Sequence, residues 1–381
     1  MPDVLIVADT IRSPELRHEV PLTVPDAFFY LEQNGTKHVV APSMELVRLP
    51  EVAPELVGHP FEEYGIDQLF REGKTLEQAQ LEVLLRACRA LGVERAVVPA
   101  EFPVREADHL RANGIELTPD KTFFDGRRRS KNDAELAGIR RAQRAAEAGM
   151  AEGIELLRRA EARDGGLVVD SEPLTCELIK QHIERAFGEH GAMAVDEFIV
   201  SHGPQTAIGH EMGHGPIAPG EIVMFDVFPR DRESACFADM TRTFVVAGEP
   251  DDELREYHRL CKEALDRCVD AIRPGLHGKD LHRMVCEFFH EHGYPTQLHK
   301  PDGQVLDSGF YHATGHGVGL EVHEKPNIGR SGDEFVAGDV LAIEPGLYRP
   351  GYGGLRLEDL VLVTEDGAEV LTDFPYDLEL S

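Results

Sequence analysis

The sequence predicts a small α/β domain followed by a larger α+β domain with an internal pseudo-twofold repeat. Three observations support this prediction. The chain has 381 residues, more than one ordinary hydrophobic core holds. About the first 120 residues alternate short apolar runs with helical patterns. The remainder shows one order of helices and strands twice, so we place the domains at residues 1–125 and 131–381.

Strand and helix patterns define the first domain. Residues 4–8, 38–41 and 95–99 are apolar runs of strand length, and residues 76–91 carry apolar side chains at helical spacing. The polar, basic segment 125–131 then predicts a linker that ends this domain.

The second domain is predicted to begin with a helix. Ser130 and Asp133 form a capping-box pattern at its start. An apolar stripe at helical spacing follows, made of Leu136, Ile139, Met150, Ile154 and Leu157. This helix is expected to bury one face against the rest of the domain.

A weak internal repeat organises the second domain. Its first copy has helices near residues 132–162 and 173–190 and strands near 196–200 and 222–246. Its second copy has helices near 252–273 and 279–292 and strands near 310–323 and 338–364. Asp226 and Asp239 in the first copy match Glu344 and Glu358 in the second, at almost equal separations. Two similar halves facing each other would bring these carboxylates to one central site.

Composition and charge exclude several classes of partner. Apolar residues make up 42% of the chain, and no low-complexity tract argues for disorder. The 39 Lys and Arg residues against 69 Asp and Glu residues give a formal charge of −30, which repels phosphate backbones and anionic lipid. High solubility or a halophilic origin is the simplest explanation of this acidity. We therefore expect no nucleic acid and no membrane as partner.

Targeting and cysteine patterns predict a cytoplasmic protein. Residues 1–8 lack a basic stretch followed by a long apolar run, so no secretory signal is expected. No apolar run approaches the roughly 20 residues of a membrane helix. The six cysteines form no Cys-x-x-Cys pair, and Cys261 and Cys268 lie within a helical pattern. Buried thiols are expected rather than ligands or disulfides.

Two pairs of acidic residues interrupt apolar strand sequence. Asp226 and Asp239 flank a polar turn, so they can face one another across a hairpin. Glu344 ends one apolar run, and Glu358 breaks the alternation of another. For either aspartate alone, a cap at a strand end is an equally good explanation. Together the four favour a metal site, because a buried, unpaired carboxylate costs several kcal/mol.

The number of charges favours two metal ions. Apart from Arg356, nothing nearby in the sequence neutralises both glutamates, and two divalent ions would offset about four carboxylate charges. His312, His316 and His323 crowd a glycine-rich segment; a lone histidine there would more often be structural, but three indicate a nitrogen ligand. Such a hard donor set suits manganese, cobalt or iron as well as zinc, and we favour manganese.

These residues carry a resemblance to a known family. Asp226, Asp239, His316, Glu344 and Glu358, in this order and with the motifs Gly-His-Gly-Val-Gly and Glu-Pro-Gly, resemble the ligands of the pita-bread (M24-type) metallopeptidases. Proline dipeptidase, aminopeptidase P, methionine aminopeptidase and the metal-free creatinase belong to this family. The resemblance spans about residues 130–365 and implies a pita-bread (creatinase/aminopeptidase) catalytic domain after a creatinase-like domain. The segment between the aspartates is two residues longer than usual, an even insertion that keeps Asp239 on the same face.

The resemblance also implies roles for other polar residues. His210 resembles the histidine that bonds the substrate and stabilises the developing oxyanion, although Gly209 replaces the usual proline and His214 is an alternative. His323 would be the second oxyanion partner, and His312 would belong to the substrate pocket.

The role of Arg356 has two explanations. By resemblance it orients the carboxylates, and a plain ion pair with Glu358 or Asp359 explains it equally well.

The resemblance is nearest to proline dipeptidase and aminopeptidase P. It implies hydrolysis of the Xaa-Pro bond at the free amino end of small peptides, with Glu344 moving the proton, and a homodimer. The first domain would decide whether dipeptides or longer chains enter. The alternatives are a methionine aminopeptidase-like or creatinase-like hydrolase and a catalytically inactive peptide-binding module. All five ligand positions hold ligand residue types, which disfavours the creatinase-like and inactive forms.

Overall fold

The computed structural model describes residues 2–380. By internal contacts the chain forms two compact units, Met1–Arg128 and Arg129–Ser381. Among the described residues, none of the helices combines the length and apolarity that crossing a membrane requires.

The first unit is a layered α/β structure. Its strands are β1 (Val4–Ala8), β2 (Phe28–Gln33), β3 (Thr36–Ala41), β4 (Val57–Pro60), β5 (Arg95–Val98) and β6 (Glu116–Pro119). Its helices are α1 (Pro14–Glu19), α2 (Ser43–Leu46), α3 (Leu49–Val52), α4 (Ile66–Arg71), α5 (Leu76–Ala90), α6 (Val104–Ala112) and α7 (Lys121–Arg129), whose last residue falls in the second unit. The strands form one mixed sheet in the order β4-β3-β2-β1-β5-β6.

Burial on both faces of this sheet explains its continuous apolar strands. In β1, Val4 and Ile6 pack into one core cluster, whereas Leu5 and Val7 pack into another on the opposite face. The predicted strands at 4–8, 38–41 and 95–99 and the predicted helix at 76–91 are all confirmed to within two residues.

The predicted linker at 125–131 is wrong, because most of it belongs to α7. Its basic side chains are not solvated linker residues but partners of buried acids. Arg127 donates hydrogen bonds to Glu19 and Glu32, at 2.5 and 2.9 Å, and both glutamates are buried. The ion pairs hold this polar sequence against the sheet, and composition alone does not report them.

Up to residue 380, where the described part of the chain ends, the second unit contains four long helices and fifteen strands. Its helices are α8 (Asp133–Arg159), α9 (Cys176–Glu189), α10 (Asp252–Ala271) and α11 (Gly278–Glu291). The strands of its first half are β7 (Glu161–Arg163), β8 (Gly166–Val169), β9 (Glu172–Pro173), β10 (Ala192–Met193), β11 (Ile199–His202), β12 (Ile222–Val227), β13 (Arg230–Asp231) and β14 (Met240–Val245). Those of its second half are β15 (Gly315–Gly317), β16 (Glu324–Ile328), β17 (Val340–Ile343), β18 (Gly346–Arg349), β19 (Gly353–Arg356), β20 (Asp359–Val363) and β21 (Ala368–Val370).

Each half packs a helix pair on a sheet, as the predicted repeat requires. Helices α8 and α9 share a core with the sheet β11-β12-β14, and α10 and α11 share another with the sheet β16-β15-β17-β20-β21. Helix α8 lies very close to its neighbours, since a Cβ at Gly149 would fall 2.5 Å from the Phe187 ring. Its capping box is formed by Asn132 and Glu135, so the predicted start at Ser130 was two residues early.

The two sheets meet where β14 runs beside residues 356–358. The Glu358 amide donates to the Thr241 carbonyl at 3.1 Å, and the Thr243 hydroxyl donates to the Arg356 carbonyl at 3.0 Å. Arg242, almost fully buried, donates from its guanidinium to five oxygens, including the Glu358 carbonyl at 2.7 Å and Asp359 Oδ1 at 2.9 Å. This seam brings the acidic residues of both halves together.

We expect Arg242→Met to lower the thermal unfolding midpoint of the second unit by about 10 °C, because Asp359 would keep a buried charge without its cation. Calorimetry measures the shift. The matched control is Arg259→Met on the exposed face of α10, which pairs with Glu256 at 2.7 Å and should shift the midpoint by about 2 °C or less. Equal shifts for the two variants would contradict the importance of the seam.

Candidate metal centre

The five predicted metal ligands lie around the seam between the two sheets. Asp226 is in β12, and Asp239 immediately precedes β14. His316 is in β15, Glu344 follows β17 and Glu358 precedes β20. Strand register places Asp226 opposite Thr241, not opposite Asp239 as a simple hairpin predicted. Asp239 lies two residues further along, which keeps it on the same face.

Three of these residues form a compact group with ligand geometry. Asp239, His316 and Glu358 each offer one ligand atom, and these atoms lie within 4.8 Å of one another. Across the described residues this is the single group of three or more such side chains that meets this criterion. Glu344 adjoins it, with Oε1 3.8 Å from His316 Nε2.

The electrostatics of the group call for a cation. Burial raises the pKa of Asp239 well above its usual range, and the charges of Glu358, Asp226 and Glu344 raise it further. Burial and the neighbouring carboxylates do the same to the pKa of Glu358. Burial also raises the pKa of Glu344 to about 7, although Arg356 opposes the shift. Clustered carboxylates of this kind are stable together when bound cations offset their charge.

The hydrogen-bonding state of the donors fits a metal ion. His316 Nδ1 donates to the Gly317 carbonyl at 3.2 Å, which leaves the lone pair of Nε2 directed at Asp239 Oδ2, 3.7 Å away. Burial lowers the pKa of His316 to about 3, so the ring is neutral at neutral pH. Asp239 Oδ1 is buried and lacks a hydrogen-bond partner within the described part of the chain. A lone pair facing carboxylate oxygens is the arrangement that a divalent cation completes.

Asp226 is shared between this centre and Arg356. The guanidinium of Arg356 bonds Asp226 Oδ2 through Nη2, and its Nε lies 4.0 Å from Glu344 Oε2. The sequence left open an ion pair of Arg356 with Glu358 or Asp359; the pair to Asp359 is instead made by Arg242. Arg356 therefore connects the acidic residues of the two halves across the seam.

Sequence reasoning missed Thr241, which links Arg356 to Glu358. Its hydroxyl accepts from Arg356 Nε at 3.2 Å and donates to Glu358 Oε2 at 2.6 Å. A sequence signal existed, because Thr241 follows Asp239 by two residues and so shares its strand face. The hydroxyl fixes one oxygen of Glu358 and leaves the other for a ligand.

Tyr348 was missed as well, and no pattern in the sequence marks it. Arg356 Nη1 donates to the Tyr348 hydroxyl at 3.0 Å, which donates to His312 Nε2 at 2.9 Å. His312 Nδ1 in turn donates to the Ala313 carbonyl at 2.7 Å. Burial, with a smaller contribution from the charge of Arg356, lowers the pKa of His312 to about 3. The ring is therefore neutral, so that it accepts at Nε2 and donates at Nδ1.

Two further predicted histidines lie at the mouth of the centre. The His323 ring packs edge-on against His316, with centroids 4.1 Å apart. Burial lowers the pKa of His323, and nearby His210 adds to this effect. His210 also lies near enough to His312 to lower its pKa. His210 and His214 are both exposed, and the 72% exposed side chain of His214 lies beside Glu211.

Comparison with known proteins identifies the family. The profile of metallopeptidase family M24 matches residues 137–365. A Xaa-Pro dipeptidase of Pyrococcus furiosus is 38% identical over 177 residues, and an uncharacterised peptidase of Staphylococcus aureus is 32% identical over 251 residues. The matches cover 46% and 65% of this chain and 46% and 63% of those relatives, so the chain spans about half to two thirds of their lengths.

Solved structures agree with the pita-bread fold over nearly the whole chain. A Xaa-Pro dipeptidase from Bacillus anthracis superposes with a TM-score of 0.78 at 23% identity, covering 99% of this chain and 94% of that one. An X-Pro aminopeptidase from Thermotoga maritima gives 0.78 at 22% identity, with 98% and 96% covered. These likenesses confirm the predicted fold class. Because the family profile covers more than half of the sequence, the chain belongs to metallopeptidase family M24.

Proposed function

We propose that this chain is a dinuclear metal-dependent hydrolase that cleaves the Xaa-Pro bond at the free amino end of short peptides. The observation that carries the proposal is the buried group of Asp239, His316 and Glu358, with the carboxylate of Glu344 beside it. The similarity to a Xaa-Pro dipeptidase over the family region supports the choice of substrate. The two alternatives without metal catalysis have no comparable support, since all five ligand positions are occupied by ligand residue types.

Asp226, Asp239, His316, Glu344 and Glu358 would hold two divalent ions, of which manganese is favoured. When bound, such ions polarise a carbonyl group and make water acidic enough to act as a nucleophile near neutral pH. The mixture of carboxylates and one imidazole suits manganese, cobalt, iron or zinc.

The protein's own groups then orient the substrate and move protons. Glu344 lies between His312 and His316, with its oxygens 3.8 Å from a nitrogen of each ring. We propose that Glu344 accepts the proton that water releases and then transfers that proton to the departing proline nitrogen. His323 and His210, at the mouth of the centre, would stabilise the developing oxyanion. The proximity of His210 to both His312 and His323 supports it over His214.

Selectivity for proline has a structural basis in His312. A peptide bond to proline is a tertiary amide without an N–H, so its pocket needs no acceptor at that point. Arg356 donates to the Tyr348 hydroxyl, which in turn donates to the lone pair of His312 Nε2. The neutral His312 ring can therefore serve as a flat wall of the proline pocket. We further propose a cytoplasmic homodimer, in which residues 1–125 form a creatinase-like domain.

We expect the purified protein to hold up to two divalent ions per chain. Elemental analysis counts them, and treatment with EDTA should abolish peptide cleavage, which manganese readdition should restore. The physical reason is the cluster of buried carboxylates, whose charges require compensation. Full activity in stripped protein would contradict the metal-dependent mechanism.

Two classes of variant should behave differently. Asp239→Ala should lower the bound metal content, because it removes one of the three grouped ligands. His210→Ala should retain the metal and lower kcat by about a hundredfold, the typical loss for an oxyanion donor. The matched control is His214→Ala, which should leave both metal content and kcat near the parent values. The reverse result for the two histidines would assign the role to His214.

Specificity is tested with Met-Pro against Met-Ala and with the same pairs extended by one alanine. We expect strong preference for proline in the second position, because the pocket needs no N–H acceptor. Peptide cleavage is measured as kcat/KM. Faster cleavage of the Met-Ala peptides would place the chain with the methionine aminopeptidases.

A further inference from the structure

A cavity of about 400 Å³ lies in the second unit and is lined largely by apolar residues. Ala207 and Ile208 form one side, and Leu306 and Tyr311 lie on others. Ile208 is 60% exposed and is one of the apolar residues that line the cavity. The cavity therefore offers an apolar surface that the fold itself does not use.

The cavity adjoins the candidate substrate histidines. Its lining residue Gly209 directly precedes His210, and its lining residue Tyr311 directly precedes His312. The Tyr311 hydroxyl donates to the Ala207 carbonyl at 2.8 Å, which ties the two sides together. The Tyr311 ring also packs on Tyr348, the residue that holds His312, with centroids 4.8 Å apart. The proposed proline wall and this cavity therefore share a boundary.

The charge of the cavity is the second observation. Asp307 is the charged member of its lining, which contains no Lys, Arg or His among the described residues. The adjacent Arg349 is engaged by Glu253, at 2.9 and 2.7 Å, and Arg356 is engaged by Asp226 and Tyr348. The carboxylate of a Xaa-Pro dipeptide would therefore approach Asp307 without a cation to pair with.

We propose, on the basis of the function assigned above, that this cavity binds the residue that follows proline in the substrate. The chain is then an aminopeptidase for peptides of three or more residues, and it prefers lysine or arginine in the third position. The aliphatic stem of such a side chain packs on Ile208 and Leu306 while its cationic end reaches Asp307. A continuing peptide also replaces the proline carboxylate by a neutral amide.

The test compares kcat/KM of the manganese-loaded full chain for five peptides: Met-Pro, Met-Pro-amide and the carboxy-terminal amides of Met-Pro-Leu, Met-Pro-Lys and Met-Pro-Glu. We expect kcat/KM for Met-Pro-Lys to be about tenfold or more above that for Met-Pro. It should be about fivefold above that for Met-Pro-Glu, a modest factor because the ion pair with Asp307 is exposed. Met-Pro-amide should also be cleaved with a higher kcat/KM than Met-Pro, because it lacks the carboxylate that would approach Asp307. In Asp307→Asn the preference for Lys over Glu should fall to within about twofold.

The control variant is Asp302→Asn, which removes an exposed acid of the same loop outside the cavity and should keep the preference. Met-Pro-amide should be cut equally by all three proteins. Cleavage of Met-Pro as fast as Met-Pro-Lys, or an unchanged Lys preference in Asp307→Asn, overturns the proposal.

Equilibrium binding of the same peptides distinguishes failure of the proposed reaction from failure of the proposed cavity. If no peptide is cut but binding keeps an Asp307-dependent Lys preference, the reaction is wrong and the cavity is right; if binding shows no such preference, the cavity is wrong.

Discussion

The burial of several carboxylates in one place is the constraint on which the second unit depends. Asp239 and Glu358 are almost fully buried, and Asp226 and Glu344 lie beside them. Water is excluded there, so each charge must be offset by a cation or a hydrogen-bond donor. Arg356 supplies one positive charge and Thr241 one donor, which leaves the remaining negative charge for bound ions.

The surrounding fold holds these groups in place through backbone contacts within the second half and through the seam between the halves. A Cβ at Gly315 would fall 1.9 Å from the Ala342 carbonyl, so glycine lets the strand that carries His316 lie against β17. The Glu344 amide donates to the Thr314 carbonyl at 2.9 Å, which fixes the residue after that strand. Arg242 locks the other side of the seam, where it binds the carbonyl oxygens of Thr241 and Glu358.

The same seam connects the acidic centre to the surface where a peptide would enter. Arg356 contacts Asp226 at the centre and Tyr348 at the wall, and Tyr348 in turn orients His312. One guanidinium therefore contacts both a carboxylate of the centre and the hydroxyl that bonds His312. Beyond the wall, Tyr311 continues this layer to the cavity that contains Asp307. The acidic centre, the His312 wall and the cavity are thus neighbouring parts of one structural layer.

The sequence by itself determined the two-domain order, several of the helices and strands, the internal repeat and the polar residues that converge on one site. Strand alternation and helical periodicity are local properties, and an acid within an apolar strand is visible without coordinates. Tertiary structure alone decided that Arg356 pairs with Asp226, that Arg242 takes Asp359 and that basic residues 125–129 belong to a helix. It alone revealed Tyr348 beside His312, because hydrogen-bond partners distant in sequence are chosen by packing between elements, which local periodicity does not encode.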